Sequence, residues 1–147
     1  MKLKIHIGDF VPKISVVIPY YNDSKYIKEC IDSVLGQTLS PSEVIIIDDH
    51  SEDSNSLLLL LQEINSSKIS YIRNKYNMNG SCSRNIGINL ATGDYIALLD
   101  ADDYWHLDHL KKSYNLLVND KSDFIYSNVI ELINNKEILR KVDDILY

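Results

Sequence analysis

A mainly parallel α/β sheet is the fold class that three observations in the sequence predict. β-branched apolar runs alternate with stretches whose apolar residues recur at helical spacing. Gly, Pro, Asn and Asp punctuate the joins between them. Acidic and aromatic residues then gather directly after the apolar runs, at the carboxyl ends of strands, where such sheets hold ligands. Composition agrees, because 147 residues with 45% hydrophobic and 24% charged side chains suit one domain with a sizeable core. That domain is expected to span the whole chain, with its core over about 13–130.

The elements follow in order. Ile14-Ser-Val-Val-Ile18 reads as a buried strand, stopped by Pro19, which has no N–H to donate. Tyr26, Ile27, Cys30, Ile31, Val34 and Leu35 mark a helix that Gly36 closes. Pro41 and Ser42 lead into a second strand, Glu43-Val-Ile-Ile-Ile47, which Asp48-Asp49 cuts off. A Leu-rich helix over about 55–64 precedes a third strand at 69–73. Residues 74–80 are loop by composition, Ser81 offers an N-cap for a helix to Leu90, and Gly93 is its terminator. A fourth strand, Tyr95-Ile-Ala-Leu-Leu99, runs into an acidic cluster. Leu107, Leu110, Tyr114, Leu117 and Val118 predict a further helix, and 124–129 a fifth strand. The tail, 136–147, has helical spacing at Ile138, Leu139, Val142 and Ile145.

Three polar clusters therefore converge on one sheet edge: Tyr20-Tyr21-Asn22-Asp23, Asp48-Asp49-His50-Ser51 and Asp100-Ala-Asp102-Asp103. Carboxylates crowded as in the last of these repel one another unless a hard divalent cation takes their oxygens, and a bound diphosphate can supply more. Capping the next helix needs one Asp, not three. A carboxylate in the second cluster can accept from a ribose hydroxyl or a base N–H, with Ser51 or Asp53 left to cap the following helix. Tyr20 and Tyr21 either stack on a base or pack. Arg84 either pairs with a strand-end Asp or reaches a nucleotide. His106 and His109 lack a third ligand nearby and read as solvated or partly packed.

Other chemistries are excluded. A net charge of -6 argues against nucleic acid, which takes clustered Lys and Arg. Cys30 and Cys82 stand far apart on helices and read as buried reduced thiols. The first residues lack the apolar stretch of a signal peptide, and no apolar run approaches the ~20 residues that span a bilayer. A cytoplasmic protein is expected, at most peripheral at the inner face of the membrane. Neither GxGxxG nor GxxxxGK[ST] nor GxSxG is present. Trp105 and Lys111 stand where an EF-hand needs Gly and Glu. Phosphoryl transfer of receiver type would want a nucleophilic Asp after the first strand, where only Asp23 is available.

Five stretches together resemble the family 2 glycosyltransferases of GT-A fold, a Rossmann-like α/β/α sandwich. They are Ser15-Val-Val-Ile-Pro-Tyr-Tyr-Asn22, Ser33-Val-Leu-Gly-Gln-Thr38, Glu43-Val-Ile-Ile-Ile-Asp-Asp-His-Ser51, Gly80-Ser-Cys-Ser-Arg-Asn-Ile-Gly87 and Ala91-Thr-Gly-Asp-Tyr-Ile-Ala-Leu-Leu-Asp-Ala-Asp-Asp103. They occur in the family's order over roughly 13–128. The resemblance implies transfer of a sugar from a nucleoside diphosphate sugar, UDP-linked, to a glycan or lipid-linked acceptor with inversion. By it, Pro19 and Tyr21 border the base, Asp49 holds base or ribose, and Asp100 lies near the ribose. Asp102 is implied to carry Mn or Mg bridging the donor phosphates, and Arg84 belongs to an Arg-Asn element. Relatives continue into an acceptor-binding half with an acidic general base. No segment here matches that base, since Asp143-Asp144 lacks its context, so no catalytic residue is assigned. The sequence looks like a donor half, and the competing expectation is a non-catalytic nucleotide-binding or assembly module. Apolar surface left open by a missing half is expected to favour homo-oligomers.

Overall fold

The computed structural model describes residues 11–133 and 136–140. The chain divides into two compact units, Met1–Lys111 and Lys112–Tyr147.

In the first unit, β1 (Ile14–Tyr20), α1 (Ile27–Leu35), β2 (Glu43–Asp48), α2 (Ser54–Ile64), β3 (Ile69–Arg73), α3 (Gly80–Leu90) and β4 (Tyr95–Leu98) alternate along the chain. The four strands form one parallel sheet in the order β3-β2-β1-β4. All seven residues of β1 are buried, which is why this strand reads as a continuous apolar run rather than an alternation.

Two helices carry the chain from β1 through β2 to β3, and α3 then returns it past β1 to β4. Right-handed crossovers in both directions put the returning helix on the opposite face. The packing shows it. Ile14, Val16, Ile18 and Tyr20 of β1 cluster with Ile27, Cys30, Ile31 and Val34 of α1 and Leu57 of α2. Val17, pointing the other way, meets Gly87 of α3 so closely that a Cβ there would lie 2.3 Å from Val Cγ1. An α/β/α sandwich results, as expected.

Several local expectations change. Pro19 lies inside β1, paired with Ile47. The Val17 carbonyl accepts from Leu99 N–H and that of Tyr20 from Asp49 N–H, so alternation turns Pro19 toward β4. The β1–β4 pairing ends at Val17 and Leu98, so no partner there calls for the missing N–H. The N-cap of α3 is Asn79, not Ser81: its side chain accepts from Cys82 N–H, and it holds φ 74° with ψ 160°, a strained conformation outside the left-handed helical region. Gly93 terminates nothing, since Ala91 is the C-cap of α3. It is small because a Cβ would stand 2.7 Å from the Lys13 carbonyl oxygen. Among the described residues no helix is long and apolar enough to cross a membrane.

A fourth helix, α4 (His109–Asp120), begins in the first unit. The second unit holds an antiparallel pair, β5 (Val129–Ile133) and β6 (Lys136–Arg140). The strand expected over 124–129 is thus displaced to its end, and the helix expected from 136 is a strand through Arg140. The two strands are neighbours in sequence, and local hairpin pairing outweighs a helical spacing with only two apolar residues in that stretch. The rest of the tail, with Asp143 and Asp144, lies outside the described residues.

Candidate functional site

Strand order reverses between β1 and β4, since β1 leads through β2 to β3 on one side and β4 joins on the other. At such a switch point the loops leaving the two strands part and open a cleft at their carboxyl ends. The cleft here is lined by Pro19, Tyr20, Tyr21 and Asp23 after β1, and by Asp100, Ala101 and Asp102 after β4. Asp49 after β2 and Gly80 and Arg84 at the start of α3 complete it. Pro19, Tyr21, Asp49, Arg84, Asp100 and Asp102, the residues given binding roles from sequence, all line this one cleft, whereas Asn22, Asp48, His50, Ser51 and Asp103 of the three clusters do not.

The β4 end carries the charge. Asp100 pairs with Arg84, one of the two roles open to that arginine. Asp102 and Asp103 are exposed. Burial, then Asp102, raise the carboxyl pKa of Asp23, and burial with Asp102 and Asp100 does the same for Asp103. The buried Cys30 thiol behind them is pushed up to about 12, by burial first and then by Asp103, Asp100 and Asp102. Burial is the larger cause in each case, and the neighbouring carboxylates add a negative field that a cation would relieve. Among the described residues, no three His, Cys, Asp or Glu side chains are grouped to hold a metal by themselves. The donor set suits an ion of the magnesium kind, which takes one or two carboxylates and fills its shell with water and ligand phosphates.

At the β2 end the two adjacent aspartates divide. Asp48 is fully buried and turned away from the cleft, accepting from Ser51 N–H at 2.8 Å, Ser54 Oγ at 2.5 Å and Tyr71 OH at 2.6 Å. Arg73 Nε lies 3.5 Å from it. Burial alone would raise its pKa, but these donors outweigh burial and hold it below the usual carboxylate range. Asp49 faces the cleft, with Oδ1 accepting from Asn74 Nδ2 at 2.8 Å and Met78 N–H at 2.9 Å. Its pKa is lowered in the same way, hydrogen bonds outweighing burial, so it stays an acceptor at neutral pH.

A depressed folded pKa contributes stability that is complete above the unfolded carboxylate value, ~3.9, and is lost as pH falls through the folded value. Asp48→Asn is therefore expected to cost about 2 kcal/mol at pH 7, the value of hydrogen bonds to a charged group. The gap from wild type should close as pH drops below ~4. Urea unfolding at pH 7 and pH 3 measures both, and an equal gap at the two pH values would refute the assignment.

The paired tyrosines also divide. Tyr20 is buried and donates to Asp53 Oδ1 at 2.7 Å, whereas Tyr21 is half exposed in the cleft. Neither Ser51 nor Asp53 caps α2 through its side chain, as had been expected. They tie the two loops together: Asn22 N–H donates to Ser51 Oγ and Ser24 N–H to Asp53 Oδ2. His109 stacks on Trp105 and His106 is exposed, both as expected. Cys30 and Cys82 are free thiols, but Cys82 is only partly buried. Sequence reasoning put Asp23 at the right sheet edge but gave it no role, and it missed Asn74 as the group orienting Asp49. Position after β1 signalled the first; nothing in the spacing signalled the second.

A parallel sheet with this switch-point cleft is the GT-A type of α/β domain, and solved structures share it. TarS of S. aureus, in complex with UDP, is 30% identical at a TM-score of 0.66, over 76% of this chain and 33% of that one. The mannosyltransferase PcManGT from Pyrobaculum calidifontis, in complex with GDP-Man and Mn2+, is 23% identical at a TM-score of 0.67 over 74% and 33%, a likeness of fold. The chain belongs to glycosyl transferase family 2, whose model matches residues 15–143. The amylovoran biosynthesis glycosyltransferase AmsB of Erwinia amylovora is 39% identical over 122 residues, 78% of this chain and 40% of AmsB. The Escherichia coli UDP-Glc:alpha-D-GlcNAc-diphosphoundecaprenol beta-1,3-glucosyltransferase WfgD is 34% identical over 128 residues, 87% of this chain and 49% of WfgD. The chain thus spans half or less of these two relatives.

Proposed function

We propose that this chain binds the nucleoside diphosphate sugar donor, UDP-linked, for a metal-dependent glycosyltransferase that acts with inversion on a glycan or lipid-linked acceptor. The observation that carries the reading is the convergence of Asp49, Asp100 and Asp102 on one switch-point cleft. Similarity to TarS, solved with UDP and with UDP-GlcNAc, and to a UDP-Glc-using enzyme supports the choice of nucleotide.

In this reading Pro19 and Tyr21 border the base, and Asp49, held ionised and oriented by Asn74, accepts from a base N–H or ribose hydroxyl. Asp100 faces the ribose, fixed by Arg84. Asp102 would hold Mn or Mg, which supplies charge neutralisation for the departing nucleoside diphosphate. The negative field of the carboxylates, which adds to burial in raising the carboxyl pKa of Asp23 and Asp103, repels a bare diphosphate and favours one that arrives with a cation.

Calorimetric titration with UDP, with and without Mn, tests this directly. Saturable UDP binding that strengthens with metal is expected, together with metal-independent binding of uridine, which has no phosphates. Absence of UDP binding under every metal condition would sink the reading. A donor hydrolysis assay on the same protein separates a working transferase from a nucleotide-binding module.

A further inference from the structure

The Ser33–Thr38 motif lies outside the cleft, and the roles above leave it unexplained. The structure uses it to hold the far side of the acidic turn. Gln37 is only 5% exposed and uses both ends of its amide. Its Nε2 donates to the Ser33 carbonyl at 3.0 Å and to the His106 carbonyl at 2.8 Å. Its Oε1 accepts from Leu110 N–H at 2.9 Å, one of the first-turn donors of α4 that no helical carbonyl can satisfy.

Neighbours in the motif extend the grip. Ser33 Oγ accepts from Trp105 N–H at 3.1 Å while donating to the Cys30 carbonyl at 2.8 Å. Thr38 N–H donates to the Leu107 carbonyl at 3.0 Å, and Thr38 Oγ1 to Asp108 Oδ1 at 2.8 Å. On the near side, Cys30 Sγ donates to the Asp100 carbonyl at 3.5 Å. The turn bearing Asp102 is thus pinned before it by Cys30 and after it by Ser33, Gln37 and Thr38. The turn's own bond, Asp103 N–H to the Asp100 carbonyl at 3.1 Å, holds only its middle.

Asp102 itself is exposed, and among the described residues nothing hydrogen-bonds its carboxylate to aim it, so its backbone must be held from outside the turn. We propose that Gln37 is a positioning residue for Asp102, buried behind the turn and touching neither nucleotide nor cation. The role rests on the donor-binding reading above. It assigns a task to a glutamine that spacing alone would leave as a helix-end polar residue.

Gln37→Met keeps the volume and removes all three hydrogen bonds; Gln37→Glu keeps the acceptor for Leu110 and loses the donors. Mn titrations at fixed UDP, read by calorimetry, should show the half-saturating Mn concentration rising about tenfold in Gln37→Met, the low end of what losing a supporting shell costs a metal site. Gln37→Glu should show a rise at least as large, because its carboxylate would face the Ser33 and His106 carbonyl oxygens. Uridine affinity should stay within about twofold in both, because its expected partners are anchored by β1, by β2 and, for Asp100, by Arg84 rather than by Gln37. A folded variant with an unchanged Mn midpoint, or one that loses uridine and metal-supported UDP binding equally, overturns the positioning role. If Gln37→Met does not fold, Gln37→Glu decides by the same two readings. Absence of Mn-enhanced UDP binding in wild type would instead overturn the donor reading, so the two failures are told apart.

Discussion

Asp102→Asn is expected to abolish the metal-supported part of UDP binding while leaving uridine binding in place. The change removes one negative charge and keeps the shape, so it isolates the carboxylate from its packing. Asp102 is exposed, and no fold contact depends on it, so the melting temperature without ligand should not fall. It should rise slightly, since Asp23 and Asp103 both sense Asp102 among their repulsive neighbours. With Mn present, a loss of roughly 100-fold in UDP affinity is expected, ~2.8 kcal/mol. Calorimetry with UDP, UDP plus Mn, and uridine separates the cases. Unchanged metal-supported binding would show that the cation, if bound, is held elsewhere.

The second large effect is on stability. Gly87→Ala places a methyl group where Val17 Cγ1 already stands, 2.3 Å away. In an exposed helix the same change would gain up to ~1 kcal/mol from propensity. Here Val17 is fully buried in the central strand and stiff about χ1, so either α3 or the strand must shift. Overpacking of this kind costs 1–3 kcal/mol or more and outweighs the propensity gain. A net loss of about 2 kcal/mol should lower the melting temperature by roughly 5–10 °C. Combining it with Val17→Ala opens room for the methyl, so the double variant should lose less than the two single losses added. Strict additivity would show that the contact is not the cause. Because α3 also carries Ser83 and Arg84, the single variant should weaken nucleotide binding as well.

Much of this architecture was legible beforehand, and the reasons differ by element. The two central strands were found because a strand buried on both faces has to be mostly apolar, and 16–18 of β1 and 44–47 of β2 are. The switch-point acids were found because strand ends are where the apolar run stops, so their position in the chain is also their position in space. The second unit was misread from 124 onward: short runs of mixed polarity serve strand or helix equally until a partner strand decides. Caps were misjudged where two candidates lay close together. Asn79 and Ser81 both suit an N-cap, and only the bond from Cys82 N–H to the Asn79 side chain decides between them.

Sequence by itself determined the order of elements from β1 to α4, the edge on which the acids gather and the family to which the chain belongs. Tertiary structure alone decided which member of each adjacent pair faces the cleft. Side chains along a strand alternate in direction, so the Tyr20 hydroxyl and the Asp48 carboxylate turn into the face shared with α2, bonding Asp53 and Ser54, and Tyr21 and Asp49 face the cleft that Tyr20 also lines. The chemistry of each pair is identical, and the choice depends on which face each helix covers. The same holds for Arg84 and Gln37. Each has several partners open to it in sequence, and only the return of α3 across the sheet and the docking of the acidic turn on α1 bring one within reach.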